Sequence, residues 1–392
     1  MKNFVFVTTA RSDFSFLSSI IDYLIEKNFK NKIYIIATGT HFDQNIGYTI
    51  KEIRKYNKVD LLEINPYIKG NEDAISISAN ILQGLNNINI TIDTLIILGD
   101  RYEILPIANF ATTKGIILVH FFGGECDISY CLDTLVRDAV TKMSHIHFVA
   151  HNDIKNRLLC MGEEERRIFI MGNPSVTAIN NTTYDNEIFD FLKLKKIPPE
   201  KKLVNVCFHP VTTSKTTSVR ELKELLKALK NYQQYMYIWS GINNDPGSEE
   251  LKCIILEYVK NYDNHIFFDN LGKNNYFSLL KNSLFMIGNS SSGLLEAASF
   301  NLPVINIGER QGGRLHGHNV YDVVADSEKI STLIKKISTT KQHKYQNPFS
   351  NKSGLNVIYN VLVSLDTFKN LRYKKLNCKK QMTLQRVHTL KD

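Results

Sequence analysis

Ile117 to Ala150, ILVHFFGGECDISYCLDTLVRDAVTKMSHIHFVA, is the stretch whose reading decides the fold. An apolar run leads into a glycine-bearing loop with acids, then a helical pattern, then a second apolar run. That succession is a strand-helix-strand unit of a parallel sheet. Leu135, Ala139 and Met143 recur at helical spacing with Val136 and Val140 beside them, so this stripe is expected to face the sheet. Glu125 and Asp133 then fall at the carboxyl end of a strand and the start of a helix, the edge where open α/β sheets take ligands. Two carboxylates there suit proton chemistry, while Asp133 equally suits a helix N-terminus with its unpaired N–H groups.

The same alternation runs outward in both directions. Strands are expected at 4–7, 33–38, 94–98, 116–121, 146–150 and 168–171, and again at 203–208, 236–239, 265–268, 284–287 and 304–307. Polar loops such as TTARSDF, GDRYE, HPVTT and GNSSSG follow them. A lysine-rich passage from Asn173-Pro174 to Lys202 reads as a linker. The expected fold class is therefore α/β, with two Rossmann-like domains, residues 1–175 and 176–354, and a ligand cleft where their loop edges face each other. The final helix, 355–368, is expected to return to the first domain, leaving 369–392 as a basic tail.

With 392 residues, 43% of them hydrophobic, the chain can bury a full core in each of two domains. The start, MKNFVFVTTARSDF, has no long apolar stretch, and no run is long enough to span a bilayer, so a cytoplasmic protein is expected. The net charge of +9 would suggest a nucleic-acid partner, but eight Lys and Arg against one acid in 369–392 supply +7 of it. No nucleic-acid partner follows. A solvated tail is expected, with a membrane-surface or assembly role as the alternative. The six cysteines, at 126, 131, 160, 207, 253 and 378, show no redox or zinc spacing. Although Cys126 and Cys131 lie near His120, no second cluster completes a metal site, so neither metal nor cofactor is expected.

The chemistry resides in the loops. GNSSSGLLEA, 288–297, places small and hydroxyl residues at the start of a helix, a setting for a phosphate or diphosphate, with Ser290 and Ser291 as added donors. Glu296 lies one turn further, in reach of a ribose; a plain serine-rich helix cap is the alternative. GERQGGR, 308–314, offers Arg310 and Arg314 on a glycine-rich loop, a source of bidentate phosphate contacts. Arg11 follows the first strand, and Asp100 with Arg101 follows another, where an Asp-Arg neighbour pair also suits a structural ion pair. His209 follows a strand beside Pro210 and suits proton transfer near neutral pH. Carboxylates, a histidine and an anion cradle together fit proton abstraction with loss of a phosphate leaving group.

ARSDF, ATGTHFDQNIG, LGDRYE, HFFGGE, DTLVRDAVTKMSHIHF, MGNPSV, FHPVTT, IGNSSSGLLEA and NIGERQGGR cover most of residues 4 to 325. In these pieces and their order the chain resembles the hydrolysing UDP-N-acetylglucosamine 2-epimerases of sialic and legionaminic acid biosynthesis. The resemblance implies a glycosyltransferase-B type fold and anti elimination of UDP from a UDP-sugar to a 2-acetamidoglycal. Water then adds to give a C2-inverted free sugar such as N-acetylmannosamine. It implies Asp100, Asp133 and His209 as catalytic, with Glu125 as a substitute second acid. Arg11, Arg101, Arg137, Ser290, Ser291, Glu296, Arg310 and Arg314 become the substrate- and nucleotide-binding set. A homodimer or higher homo-oligomer is also implied.

Three departures accompany it. Phe122 stands where an H-x-E-G-G motif would carry a catalytic glutamate, the loop from Glu125 to Asp133 is long, and Asp138 replaces the histidine of an Arg-His pair. They leave open the identity of the second acid and of the sugar, and a GDP-sugar stays open because base recognition rests largely on backbone groups. They also leave a glycosyltransferase or sugar-nucleotide hydrolase of surface-polysaccharide assembly, and a non-catalytic sugar-nucleotide sensor.

Overall fold

The computed structural model describes residues 1–375 apart from 45–46, 69, 71–72, 126–131, 181–182, 185–186, 195–201, 212–214, 243–246, 341–343 and 369. Two compact units emerge. One takes Met1–Glu125, the chain after the following loop as far as Gly172, and the C-terminal segment from Asn351; the other takes Asn173–Ser350.

The first unit is a parallel sheet of seven strands: β1 (Asn3–Thr8), β2 (Lys32–Ala37), β3 (Asp60–Glu63), β4 (Thr94–Leu98), β5 (Ile117–Phe121), β6 (Ile146–Val149) and β7 (Ile168–Ile170). Their spatial order is β3-β2-β1-β4-β5-β6-β7. The second unit has six: β8 (Leu203–Cys207), β9 (Met236–Ser240), β10 (His265–Phe268), β11 (Ser283–Gly288), β12 (Val304–Ile307) and β13 (Val320–Val323). They run β10-β9-β8-β11-β12-β13, so both units repeat the doubly wound order whose winding reverses beside the first strand. The reversal lies between β1 and β4 in one unit and between β8 and β11 in the other.

Side-chain alternation explains the apolar runs. Phe4 and Phe6 of β1 join Ile33 and Ile35 in one core layer, while Val5 and Val7 join Tyr34 and Ile36 in the layer on the opposite face. Both faces are buried, so the strands read as continuous hydrophobic stretches. The helix Gly354–Ser364 adds Ile358, Val361 and Leu362 to the layer that holds Phe4 and Leu17. Each such fully buried side chain contributes about 1.5–3 kcal/mol of transfer free energy.

Several expectations need correction. Strands β3 and β13 lie at sheet edges, and their sequences DLLE and VYDV carry the polar residues that a half-exposed edge permits. The expected linker contains the helices Pro174–Asn180 and Glu187–Leu194, and Ile188 and Leu192 of the latter are buried against Leu203 and Ile238. Residues 370–373 of the expected solvated tail are bound through their backbone. The buried Arg167 guanidinium donates to the carbonyls of Leu371 at 2.6 Å and Tyr373 at 2.8 Å. Lys374 pairs with Glu163 at 2.7 Å. The remainder of the tail, 376–392, lies outside the described residues, as do Cys126, Cys131 and Cys378. Among the described residues no helix is long and apolar enough to cross a membrane.

Candidate active site

In the first unit the chain leaves β4 through Gly99, whose φ of +80° is a conformation open to glycine. Asp100 follows, and its carboxylate forms an ion pair with Arg137 of the helix Leu132–Met143. Arg137 also donates from Nη1 to the Glu125 carbonyl at 2.7 Å. Because β4 and β5 are neighbours, one guanidinium ties the loop leaving each of them. Arg137 is only 8% exposed, and these contacts hold the Asp100 carboxylate and the Glu125 backbone together.

This inward arginine sets the rotation of its helix. Thr134, Val136, Arg137, Val140 and Thr141 are the buried residues, while Leu135 is 62% exposed and Ala139 also faces out. The stripe expected to meet the sheet is therefore displaced by one residue, since successive helical positions differ by about 100° and Arg137 cannot point inward together with Leu135. Asp133 is exposed on the first turn. There it accompanies the positive end of the helix, and it remains accessible for chemistry.

A second arginine acts on the same loop. Arg157, from the helix Asn152–Cys160, donates to the Gly124 carbonyl at 2.9 Å and makes a bidentate pair with Asp138, both bonds 2.9 Å long. Asp138, the departure from the Arg-His pair, thus has a partner of its own. Gly124 has φ +79°, and a Cβ there would lie 2.7 Å from Leu158 Cδ2. Phe122 itself has φ +60°, a left-handed conformation that costs a bulky residue about 1–2 kcal/mol. Its ring lies 5.1 Å from that of Phe16, against the unit's core. The loop between Glu125 and Asp133 is largely outside the described residues.

Arg11 and Arg101 share a different cavity, about 440 Å³, with Ser12, Thr40, Thr49 and Glu52. Asp13 builds its rim by accepting the N–H groups of Thr9 at 3.1 Å and Ala10 at 3.0 Å. Burial raises the Asp13 pKa against the opposing hydrogen bonds from Thr9 and the charge of Arg101. Arg11 is mostly exposed and 3.2 Å from Glu52, while Arg101 pairs at 2.6 Å with the buried Glu103. His41 is enclosed between the hydroxyls of Thr8 and Thr49, each at 2.8 Å. Burial, helped by the Arg101 charge, pushes its pKa down to about 4.

In the second unit, Cys207, His209, Ser240, Tyr276, Ser290, Ser292 and Glu296 line a cavity of about 410 Å³ together with the chain from Asp269 to Lys273. It opens where β8 and β11 end, at the reversal of winding, which is where such sheets hold nucleotides. Ser292 lines it and Ser291 does not. The Tyr276 hydroxyl donates to Ser292 Oγ at 2.6 Å. The helix opened by the serines, Ser291–Leu295, has five residues and passes into a 3-10 turn, Ala297–Phe300. So short a helix supplies little dipole, and the pocket's polar character comes from side chains: the serine and tyrosine hydroxyls, Glu296, His209, Asp269 and Lys273. Burial raises the Glu296 carboxyl above the ordinary glutamate value, opposed by a hydrogen bond from Ser292. Arg310 Nε donates to the Pro210 carbonyl and Nη1 to the Asn289 carbonyl, both at 3.1 Å. Arg314 donates to Gln311 Oε1 at 3.2 Å.

Residues 25–363 match the family model described as UDP-N-acetylglucosamine 2-epimerase. The chain belongs to this family. A GDP/UDP-N,N'-diacetylbacillosamine 2-epimerase (hydrolyzing) of Campylobacter jejuni is 36% identical over 322 residues, spanning 81% of this chain and 83% of that one. A UDP-N,N'-diacetylbacillosamine 2-epimerase (hydrolyzing) of Legionella pneumophila is 31% identical over 373 residues, spanning 93% and 96%. The solved UDP-GlcNAc 2-epimerase of Neisseria meningitidis, bound to UDP-GlcNAc, superposes with a TM-score of 0.74 at 16% identity, covering 93% of this chain and all of that one, a likeness of fold. The two units are thus the α/β domains of a glycosyltransferase-B type 2-epimerase fold, and these relatives support an enzyme of the hydrolysing 2-epimerase type.

For this 2-epimerase family member, sequence reasoning passed over Ser292, Tyr276, Asn289, Arg157 and Gln311. Ser292 stands one letter beyond the chosen serines, and Asn289 was present in the quoted GNSSSG. Arg157 and Tyr276 lie in helices whose sequences carry no motif, and only packing brings them to the loops.

Proposed function

We propose that this protein is a hydrolysing sugar-nucleotide 2-epimerase acting on a UDP-activated 2-acetamido sugar. A base removes the C2 proton while the bond from C1 to the phosphate oxygen breaks, releasing UDP and leaving a 2-acetamidoglycal. Water then supplies hydroxide to C1 and a proton to the opposite face of C2, giving the inverted free sugar.

Asp100, Glu125 and Asp133 carry the proton transfers of the first unit, and His209 contributes from the second. Ser290, Ser292 and Glu296 bind the nucleotide, and Arg310 and Arg314 the diphosphate. Ser291, Arg11 and Arg101 remain in the binding set by family likeness. Arg137 belongs to the catalytic machinery as the cation that keeps Asp100 oriented for proton transfer. The observation that carries this reading is the pairing of Asp100 with Arg137, which simultaneously holds the Glu125 carbonyl. It presents two acids at one sheet edge, as proton removal and return at one carbon require.

Relatives named for N,N'-diacetylbacillosamine make the 2,4-diacetamido sugar a substrate to test beside N-acetylglucosamine. We further propose a cytoplasmic homo-oligomer that feeds sialic- or legionaminic-type acid synthesis, a reading in line with a relative named polysialic acid biosynthesis protein P7 of Escherichia coli for the sugar class alone. Incubation with each UDP-sugar, and with the GDP analogue, in deuterated water is expected to give UDP or GDP and a free sugar deuterated at C2. Nucleotide release with the C2 proton retained would overturn the proposal.

A further inference from the structure

Where β8 and β11 end, Gly288 pairs with Cys207 so closely that a Cβ on Gly288 would meet the Cys207 carbonyl oxygen at 1.9 Å. Beyond this point the backbone ladder gives way to a side chain. The Asn289 N–H still donates to the Cys207 carbonyl at 3.0 Å. Its carboxamide then takes over: His209 N–H donates to Asn289 Oδ1 at 2.7 Å, and Asn289 Nδ2 donates to the His209 carbonyl at 2.9 Å. A primary amide offers a coplanar acceptor and donor, so it substitutes for a neighbouring strand and fixes both backbone polar groups of one residue.

Asn289 is itself immobilised. It is fully buried, and its carbonyl accepts from Arg310 Nη1 at 3.1 Å and Gln311 Nε2 at 3.0 Å. Arg310 continues to the Pro210 carbonyl at 3.1 Å, the residue after His209. Asn289 therefore has its N–H, its C=O, its amide oxygen and one amide hydrogen engaged within the unit.

We infer that Asn289 is a positioning residue for His209, and that Arg310 and Gln311 brace it, so that the GERQGGR loop holds the histidine in place. This rests on the reading of His209 as a catalytic group. A group that transfers a proton must be held to within a fraction of an ångström, and a displacement of about 1 Å costs about a hundredfold in rate. Asn289 sets the direction in which the His209 imidazole leaves the backbone from a buried position outside the residues that line the cavity.

The test compares Asn289→Ala, Asn289→Asp and His209→Ala for kcat, KM, UDP affinity by calorimetry, and the pH profile of kcat. Asn289→Ala is expected to lower kcat about ten- to a hundredfold, to leave KM and the UDP Kd within about threefold, and to shift the limb of the pH profile that His209→Ala abolishes. Asn289→Asp keeps the acceptor for His209 N–H and loses the donor, so its kcat is expected to lie between those of Asn289→Ala and wild type. Retained UDP binding shows that the second unit has folded. If Asn289→Ala keeps wild-type kcat, or if KM and UDP affinity collapse in step with kcat in both Asn289 variants, the positioning role is overturned. If His209→Ala itself keeps full activity, the reading of His209 fails instead.

Discussion

Glu296 combines a pocket-lining carboxyl with a pKa raised by burial. The folded protein favours its protonated form, so the stability contributed by this group is present below the unfolded value near 4.5 and is lost as pH rises through the folded value. Burial makes its ionised form costly in the folded protein. A ribose hydroxyl needs the ionised form as acceptor, so UDP affinity should fall as pH drops through the raised pKa. Glu296→Gln is expected to weaken UDP binding about tenfold, near 1.4 kcal/mol, and to flatten that pH dependence, while the melting temperature at pH 7 stays level or rises. Calorimetry and thermal scans check both. Phe122 is a contrasting residue, because its ring packs against Phe16. Phe122→Ala should lower stability by about 1–2 kcal/mol in urea unfolding, with kcat within about threefold of wild type. A collapse of kcat at unchanged stability would instead place the side chain in the chemistry.

Between elements, the loop that follows β5 is held by two arginines, each fixed by its own acid: Arg137 by Asp100 and Arg157 by Asp138. Their acceptors are consecutive carbonyls, Glu125 for Arg137 and Gly124 for Arg157. The aspartate at 138 thus locks Arg157 bidentately. The Asp138 and Arg157 side chains are 32% and 28% exposed, so solvent limits the pair to about 1 kcal/mol of stability. Its larger effect should be on the geometry of Glu125. Asp138→Asn is expected to lower kcat about tenfold, with a stability loss no greater than about 1 kcal/mol. Steady-state rates and denaturant midpoints measured on one preparation check the split.

At the scale of the whole molecule, the C-terminal segment is part of the first unit's architecture. Arg167 donates to the carbonyls of His145, Leu371 and Tyr373, and Lys374 meets Glu163 beside His147 and Lys142. Burial alone would raise the Glu163 pKa; its hydrogen bonds to His147, Lys142 and Lys374 prevail and bring it down to about 2. That contribution is present above the unfolded value near 4.5 and is lost as pH falls towards 2. Truncation before Asn370 should destabilise the first unit by about 2–4 kcal/mol, since it strips the buried Arg167 guanidinium of two carbonyl acceptors and Glu163 of Lys374. Truncation after Lys375 should cost less than about 0.5 kcal/mol. Urea unfolding of the two truncations, with UDP binding as the readout of the second unit, distinguishes them.

Periodicity and turn chemistry make eleven of the thirteen strands among the described residues legible in the sequence, because buried strands are written as apolar runs. β3 and β13 escape because their four-residue sequences, DLLE and VYDV, interrupt the apolar run with acids. Motif-bearing loops are equally legible, since Asp100, His209 and Ser290 each lie two residues after a strand, and Glu296 ends the short helix that Ser290 opens. Their partners are not. Arg137 meets Asp100 from 37 positions away, and Asn289 meets His209 from 80. Local pattern thus determined the elements, their order and the chemistry offered at the loop edges, because those depend on residues near one another in the chain. Tertiary structure alone decided which cation orients Asp100, which amide fixes His209, which way the Leu132–Met143 helix turns and where Phe122 points, because each depends on contacts between residues that only packing brings together.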